Sequence, residues 1–210
     1  MANDLKVENA KHVYWLLALP VLICAAIQAG SLTTSVDKWV EIAAIESVTG
    51  ATLYAVALLL ANLLPPDLKH KLVFTRLRNE MPAGRIHLLT RTDPRIHPGK
   101  VQEKWPHVFD PEIEEAERNA LWYQQIYKPV RDNVPVRQSH RMFLLFRDVT
   151  SGLAFLCLAS GSWAFLGMLG AAFPLNQSIP VVLLAFTVTT LIAARNAGNR
   201  MVLTAVAEAS

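Results

Sequence analysis

The alternation of apolar and polar positions divides the chain into four long apolar stretches with polar segments between them. The stretches cover residues 13–30, 48–64, 149–173 and 179–194. An α-helix needs about 20 apolar residues to cross a bilayer, and each stretch reaches or approaches that length. Only 18% of the residues are charged, below the roughly 25% of a soluble domain. The pattern therefore predicts four membrane-spanning helices.

The lysine and arginine residues lie almost entirely on one side of these four predicted spans. Residues 67–147 carry fifteen of the twenty, whereas the segment 31–47 carries only Lys38. Residues 1–12 and the tail after residue 194 carry two each. Cytoplasmic loops hold the excess of lysine and arginine in membrane proteins. We therefore expect the N-terminus, the segment 67–147 and the C-terminus to be cytoplasmic.

The predicted fold is an all-α membrane protein with four transmembrane helices and a cytoplasmic, mostly helical insertion between helices 2 and 3. Residues 1–66 form an N-terminal transmembrane hairpin, 67–147 the insertion, and 148–210 a C-terminal hairpin and tail. Such a protein spans its membrane several times, with both termini on the cytoplasmic side.

The insertion begins with a basic segment, residues 67–79, which we expect to form a helix at the membrane surface. Its cationic side chains are candidates for anionic-lipid contacts, at about 1 kcal/mol per basic residue. These candidates are Lys69, Lys71, Arg76 and Arg78. Four prolines interrupt residues 81–109, which predicts an irregular segment with one candidate strand at 86–90.

Two helices are predicted to follow in the insertion. Asp110 is a candidate N-cap, with Pro111 and three glutamates after it, so one helix should cover residues 110–128. A second should begin near Pro135 and continue directly into the third apolar stretch. We expect Asp148, at the start of that stretch, to lie close to Arg195, at the end of the fourth. Lys11 and Asp67 are placed similarly at the ends of the first two.

One face of the third apolar stretch carries small residues at helical spacing. Small side chains let two helix backbones approach closely within a membrane. The face is either a packing surface inside one chain, which is the simpler interpretation, or a seam between copies of the chain. Its residues are Ser160, Gly161, Ala164, Gly167 and Ala171.

The motifs of several enzyme and transporter classes are missing. No glycine-rich phosphate loop and no nucleophile elbow occurs, and no histidine pair has metal-ligand spacing. Both cysteines lie in apolar stretches. No carboxylate lies inside a predicted span, which argues against a coupled transporter. We therefore predict no catalytic, cofactor-binding or metal-binding residue.

The densest group of distinctive residues lies between positions 119 and 148. Aromatic and charged side chains there form a candidate partner or ligand face. Its members are Trp122, Tyr123, Tyr127, His140, Arg147 and Asp148. The simpler interpretation is structural: the aromatic residues pack the two insertion helices together, and Arg147 reaches the lipid headgroups.

The same region resembles a known group of proteins. The run N-x-L-W-Y-x-x-x-Y-K at 119–128, followed by S-H-x-x-x-L-L-x-R-D at 139–148, is similar to uncharacterised four-span bacterial inner-membrane proteins. The similarity covers about residues 110–150 and the layout of the spans. It implies a bacterial inner-membrane protein and transfers no activity.

These observations favour a non-enzymatic function. We expect a membrane-anchored sensor, scaffold or effector whose insertion binds a protein partner or ligand, which self-associates, and which contacts anionic headgroups. By analogy, bacterial stress or phage defence is a fitting pathway. A channel or transporter is one alternative. A membrane enzyme with a site at the inner membrane edge, using His140 and Asp148, is another. Nucleic-acid binding is disfavoured because the aromatic and basic residues do not interleave.

Overall fold

The computed structural model describes the chain except for residues 1, 32–50, 53, 57, 60, 62 and 170–174. Within the described residues the regular structure is helical and no strand occurs. The start of the second predicted span, the end of the third and Ala171 lie outside the described residues. The residues described between positions 51 and 63 are helical.

Besides the helical residues between positions 51 and 63, nine α-helices have defined bounds in the described ranges, and two of them are longer than 30 residues. In chain order they are α1 (Ala2–Ser31), α2 (Pro66–Phe74), α3 (Ile86–Leu89), α4 (Pro98–Lys104), α5 (Pro106–Phe109), α6 (Glu115–Trp122), α7 (Lys128–Val130), α8 (Val134–Met168) and α9 (Ser178–Ala209). Two 3₁₀ turns flank α3, at Pro82–Arg85 and Thr90–Thr92, and a π-helical turn, Tyr123–Tyr127, joins α6 to α7.

Three of these helices are long and apolar enough to cross a membrane. The qualifying segments are Leu5–Gln28 in α1, all of α8 and all of α9. Large apolar side chains are exposed on each, such as Leu22, Leu158 and Leu184. Exposed apolar surface of this extent is what lipid tails cover in a membrane. These features indicate a multi-pass membrane protein.

The buried apolar residues form two separate clusters along the long helices. The first, here called the bundle core, joins α1, α8 and α9 through residues such as Leu17, Leu153 and Leu183. The second joins the insertion to the ends of the same helices. We call it the cap core. On α8 the change from one to the other falls between Leu144, in the cap core, and Leu145, in the bundle core.

The insertion, here called the cap, packs around the N-terminal part of α8 and the C-terminal part of α9. The prediction that a helix starts near Pro135 and continues into the third span is confirmed, because α8 runs unbroken from Val134 to Met168. The other long helix, α9, continues past Arg195, and Met201, Val202 and Val206 are buried in the cap core. The insertion therefore folds against segments that precede and follow it in the chain.

Two local predictions were wrong. Residues 86–90 form α3 and the start of a 3₁₀ turn instead of a strand, and the Thr90 hydroxyl donates to the Ile86 carbonyl at 3.0 Å, as in a helix. The helix that was predicted to begin at Asp110 is α6, which begins at Glu115. The Asp110 carboxylate accepts from the Glu112 N–H at 2.9 Å and closes a turn ahead of the helix.

Candidate functional site

Buried charge is concentrated where the cap meets the bundle. Lys69 of α2 is 1% exposed, and Arg147 and Asp148 of α8 are 3% and 7% exposed. His70, beside Lys69, is partly buried against the same residues. We call these four residues the junction. Charged side chains are seldom this buried unless they are paired, so their partners decide what the junction can do.

Two cations share one carboxylate oxygen in the junction. Asp148 Oδ1 accepts from Lys69 Nζ at 2.9 Å and from Arg147 Nε and Nη2 at 3.0 and 2.9 Å. Lys69 also donates to the backbone carbonyl of Ala61. Burial is the main cause that lowers the pKa of Lys69, and its bond to Asp148 opposes that shift. With Lys69 protonated, the junction carries a net positive charge.

His70 is held in its neutral form mainly by burial. Burial, with the Arg147 charge second, lowers the pKa of His70 to about 4. Arg147 Nη1 lies 3.2 Å from His70 Nε2. Because a guanidinium can only donate, Nε2 must accept, which assigns the imidazole proton to Nδ1. The His70 ring also stacks on Phe143 of the cap core, with centroids 5.8 Å apart.

His70 belongs to one group of donors with metal-ligand spacing. Donor atoms of Asp67, His70 and Glu80 lie within 4.8 Å of one another. Asp67 and His70 are three residues apart on α2 and so share a face. The Asp-x-x-His spacing of Asp67 and His70 is the sequence signal that points to this group. The Arg147 guanidinium uses the lone pair of His70 and would repel a cation, so the group suits hydrogen bonding better than metal binding.

Further polar contacts tie the long helices together near the junction. Asn9 of α1 donates to the Arg141 carbonyl at 2.7 Å, and Arg141 Nε donates back to Asn9 Oδ1 at 3.0 Å. Arg195 of α9 donates to the Val73 carbonyl at 2.6 Å. Among the described residues no ion pair joins Asp148 to Arg195, since Asp148 is bound by Lys69 and Arg147.

The other expected pair is not formed either. Lys11 and Asp67 are both exposed, and within the described part of the chain no ion pair joins them.

Five of the six residues of the candidate partner or ligand face fall into two groups that are buried or partly buried. Arg147 and Asp148 belong to the junction, so Arg147 does not reach the headgroups. Trp122, Tyr127 and His140 pack the π-helical turn against α8. Tyr127 Oη lies 2.6 Å from His140 Nδ1, and the Trp122 and Tyr127 rings are 5.3 Å apart.

Tyr123 is the exposed member of the predicted face. It stacks on Tyr127 with centroids 5.6 Å apart, and half of its surface faces solvent. The aromatic residues of this region thus pack the cap, as the simpler interpretation held, and Tyr123 alone of the six offers a side chain to a partner.

The candidate lipid contacts have different surroundings. Lys69 is buried in the junction, so the prediction that it contacts anionic lipid was wrong. Arg76 is ion-paired with Glu115 at 3.1 Å and is about one-third exposed. Lys71 is partly buried and Arg78 is exposed. Lipid contact by Lys71 and Arg78 stays a prediction.

The small-residue face of α8 is open along part of its length. Ser160 is buried and donates to the Cys157 carbonyl at 3.0 Å. A Cβ added to Gly161 would meet nothing within 4 Å, and Ala164 and Gly167 are partly exposed. The middle of this face therefore has room for a second helix.

Arg118 is a buried residue that the sequence did not point to. Its guanidinium donates to the carbonyls of Gly84, Asp110 and Ile113 at 2.8, 2.6 and 2.9 Å. It holds the first 3₁₀ turn of the cap against the start of α6. In the sequence it follows Glu115 and Glu117, a pattern typical of a solvated helix, and no local signal distinguishes it.

Comparison with known proteins yields no relative. No protein-family model, no curated protein and no solved structure matches this chain. The function therefore has to be inferred from the molecule's own geometry.

Proposed function

We propose that this protein is a membrane-anchored sensor, scaffold or effector of the bacterial inner membrane. In this proposal it has four spans, both termini are cytoplasmic, and the cap is the cytoplasmic part that binds a protein partner or ligand. The one-sided distribution of lysine and arginine supports this orientation. A role in bacterial stress or phage defence is an analogy with other small membrane proteins.

The continuity of α8 and α9 carries the functional part of the proposal. Each helix contributes residues to the bundle core and to the cap core without a break. Because an α-helix is stiff along its axis, a shift or rotation at the cap end must also move the membrane end. A partner that favours one position of the cap would thus bias the arrangement of the bundle, as a sensor or effector requires.

Self-association through the open part of α8 is the second element of the proposal. If a second copy packs at Gly161, Gly161→Leu should prevent the close approach and shift purified protein toward monomer. Ala185→Leu places the same bulk on an exposed position of α9 and serves as the matched control. Mass measurement of the protein in detergent reports the result. A monomeric wild type, or equal effects of both changes, would contradict a seam at Gly161.

The orientation can be tested with single cysteines in a background lacking Cys24 and Cys157. Leu77 of the cap is 84% exposed, and Gln177 is exposed before α9. An impermeant maleimide should label Gln177→Cys in intact cells and Leu77→Cys only after the inner membrane is permeabilised. Labelling of Leu77→Cys from outside would refute the proposed orientation.

Partner binding should be tested with the full chain, because the cap core includes residues of α1 and α9. A photo-crosslinking amino acid at position 123 should form a specific adduct in cells. The same group at Leu88, which is also about half exposed on the cap, is the control. Adducts from neither position, or identical ones from both, would count against a partner at the predicted face.

The two alternatives have less support. The hydroxyls of Thr187, Thr189 and Thr190 donate to carbonyls of their own helix at 2.7–2.9 Å, so their hydrogens are satisfied without a pore. Of the residues suggested for an enzyme, Asp148 is neutralised by two cations and His140 is bonded to Tyr127.

A further inference from the structure

An open cleft of about 460 Å³ lies between α8 and α9 where both helices leave the bundle. One face of each helix forms its walls, and Arg95, from the loop after α3, closes one side. Among the residues that line it are Arg95, Ser139, Met142, Phe146, Ala193, Asn196 and Arg200. It is separate from the junction, with which it shares no residue.

The lining of the cleft changes from polar to apolar toward the membrane. The two helices are antiparallel, so Phe146 of α8 lies toward the same end as Ala193 of α9, and Ser139 toward the same end as Arg200. That places apolar side chains next to the bundle and polar ones about 10 Å farther along the helix axes, at 1.5 Å per residue. An amphiphilic ligand with its apolar end toward the membrane matches this order.

The polar end of the cleft carries two arginines, of which Arg95 is balanced by the carboxylate of Asp93 and Arg200 is exposed. Its lining includes two arginines and no acidic residue. Arg200 is exposed, and within the described ranges no ion pair involves it. Arg95 binds both oxygens of Asp93 through Nε and Nη2, at 3.0 and 2.7 Å, which leaves Nη1 to face another acceptor. Ser139 and Asn196 add polar groups beside them.

We propose that this cleft binds the headgroup of an anionic phospholipid, with the phosphate at Arg200 and the start of an acyl chain over Met142 and Phe146. Arginine is well suited to a phosphate because its planar guanidinium donates two parallel hydrogen bonds. The proposal rests on the proposed orientation, in which the cap faces the anionic cytoplasmic leaflet.

The position along α9 fits a lipid better than a soluble phosphate. Ile192 is an exposed apolar residue at the bundle end, and Arg200 follows it by eight residues, about 12 Å along the helix. The headgroup layer is several ångströms deep, and a long arginine side chain can extend back toward it. A free phosphate would use only the polar end and leave the Met142–Phe146 wall without a function.

The test is native mass spectrometry of the full protein in detergent, with phosphatidylglycerol or phosphatidylcholine added in parallel titrations. We expect one phosphatidylglycerol molecule to be retained preferentially. In Arg200→Gln its retention should fall at least about tenfold, because the charge-assisted hydrogen bonds of the guanidinium to the phosphate are lost. Arg91→Gln removes an exposed arginine of the cap outside the cleft and should change retention less than twofold.

A second variant and a soluble probe separate the other outcomes. Asn196→Trp keeps the charge but fills the cleft from an exposed position, and it should reduce retention as well. If Arg200→Gln and Arg91→Gln reduce the retention of phosphatidylglycerol equally, the lipid is held by general electrostatic attraction, and the proposed site would be overturned. Inorganic phosphate is added as a soluble competitor. If it displaces the phospholipid, and if Arg200→Gln weakens the binding of phosphate to the same extent, the ligand would be a soluble anion and the lipid proposal would be overturned. Maleimide labelling of Leu77→Cys reports the orientation independently.

Discussion

Removal of the Asp148 charge should destabilise the protein far more than removal of Lys69. Asp148→Asn leaves Lys69 and Arg147 buried without an anion, while the amide oxygen can still accept one hydrogen bond. Loss of one partner of a buried ion pair costs about 3–5 kcal/mol. Because the amide oxygen retains part of the hydrogen bonding, we expect a loss of stability at the lower end of this range, about 3 kcal/mol.

Lys69→Met lowers the net positive charge of the junction, whereas Asp148→Asn raises it. Asp148 keeps Arg147, with hydrogen bonds of 3.0 and 2.9 Å, and the junction becomes electrically balanced. The substitution removes two hydrogen bonds, to Asp148 and to the Ala61 carbonyl. It also removes the cost of burying an ammonium. We expect a net loss of only about 1 kcal/mol.

Thermal unfolding in detergent, followed by the fluorescence of the buried Trp105 and Trp122, should show this difference. For a chain of this length 1 kcal/mol corresponds to about 2–4 °C, so Asp148→Asn should unfold about 6–12 °C earlier than wild type. Lys69→Met should unfold about 2–4 °C earlier. The double variant should be more stable than Asp148→Asn, because only one cation stays unpaired. Equal effects of the two single changes would refute the net positive charge of the junction.

Three further predictions concern the cap and the helices. Arg118→Lys should destabilise the cap by about 2–4 kcal/mol, because an ammonium cannot bond all the carbonyls that the guanidinium holds; protease protection of the cap would report it. The pKa of His70 is lowered from 6.5 to about 4, so the unfolded chain binds its proton first as the pH falls. Stability should therefore decrease from pH 6.5 toward pH 4, by up to about 3 kcal/mol, and less steeply in His70→Asn. Gly198→Ala would place a Cβ 2.7 Å from a ring carbon of Phe74 and should lower the unfolding temperature, at a cost of about 1–3 kcal/mol.

The controls for these changes come from the same chain. Gly161→Ala meets no atom within 4 Å and should be neutral or stabilising by up to about 1 kcal/mol, since alanine favours the helix. Arg91→Lys replaces an exposed arginine and should leave the protease protection of the cap unchanged. A fall in stability toward pH 4 that is as steep in His70→Asn as in wild type would exclude His70 as its cause.

The extent of the helices and the apolar segments could be predicted from the sequence because these are local properties. Residues 149–173 and 179–194 are apolar over most of a membrane thickness; α8 contains the first stretch as far as Met168, and α9 contains the second. The helix start near Pro135 followed from proline's preference for the first turn. Short elements were predicted less well, since α3 and the start of α6 depend on turns and neighbours that override local preference.

The partners of the charged residues could not be predicted, because they are set by segments far apart in the chain. Lys69 looked like a surface cation beside Lys71, yet it is bonded to Asp148, 79 residues away. Arg118 looked solvated among glutamates but is buried by a turn at Gly84. By itself the sequence determined that long apolar helices flank a basic, proline-interrupted segment, since composition and periodicity are written residue by residue. Only the tertiary structure decided which charges are buried and where a cleft opens, since burial depends on the packing of distant segments.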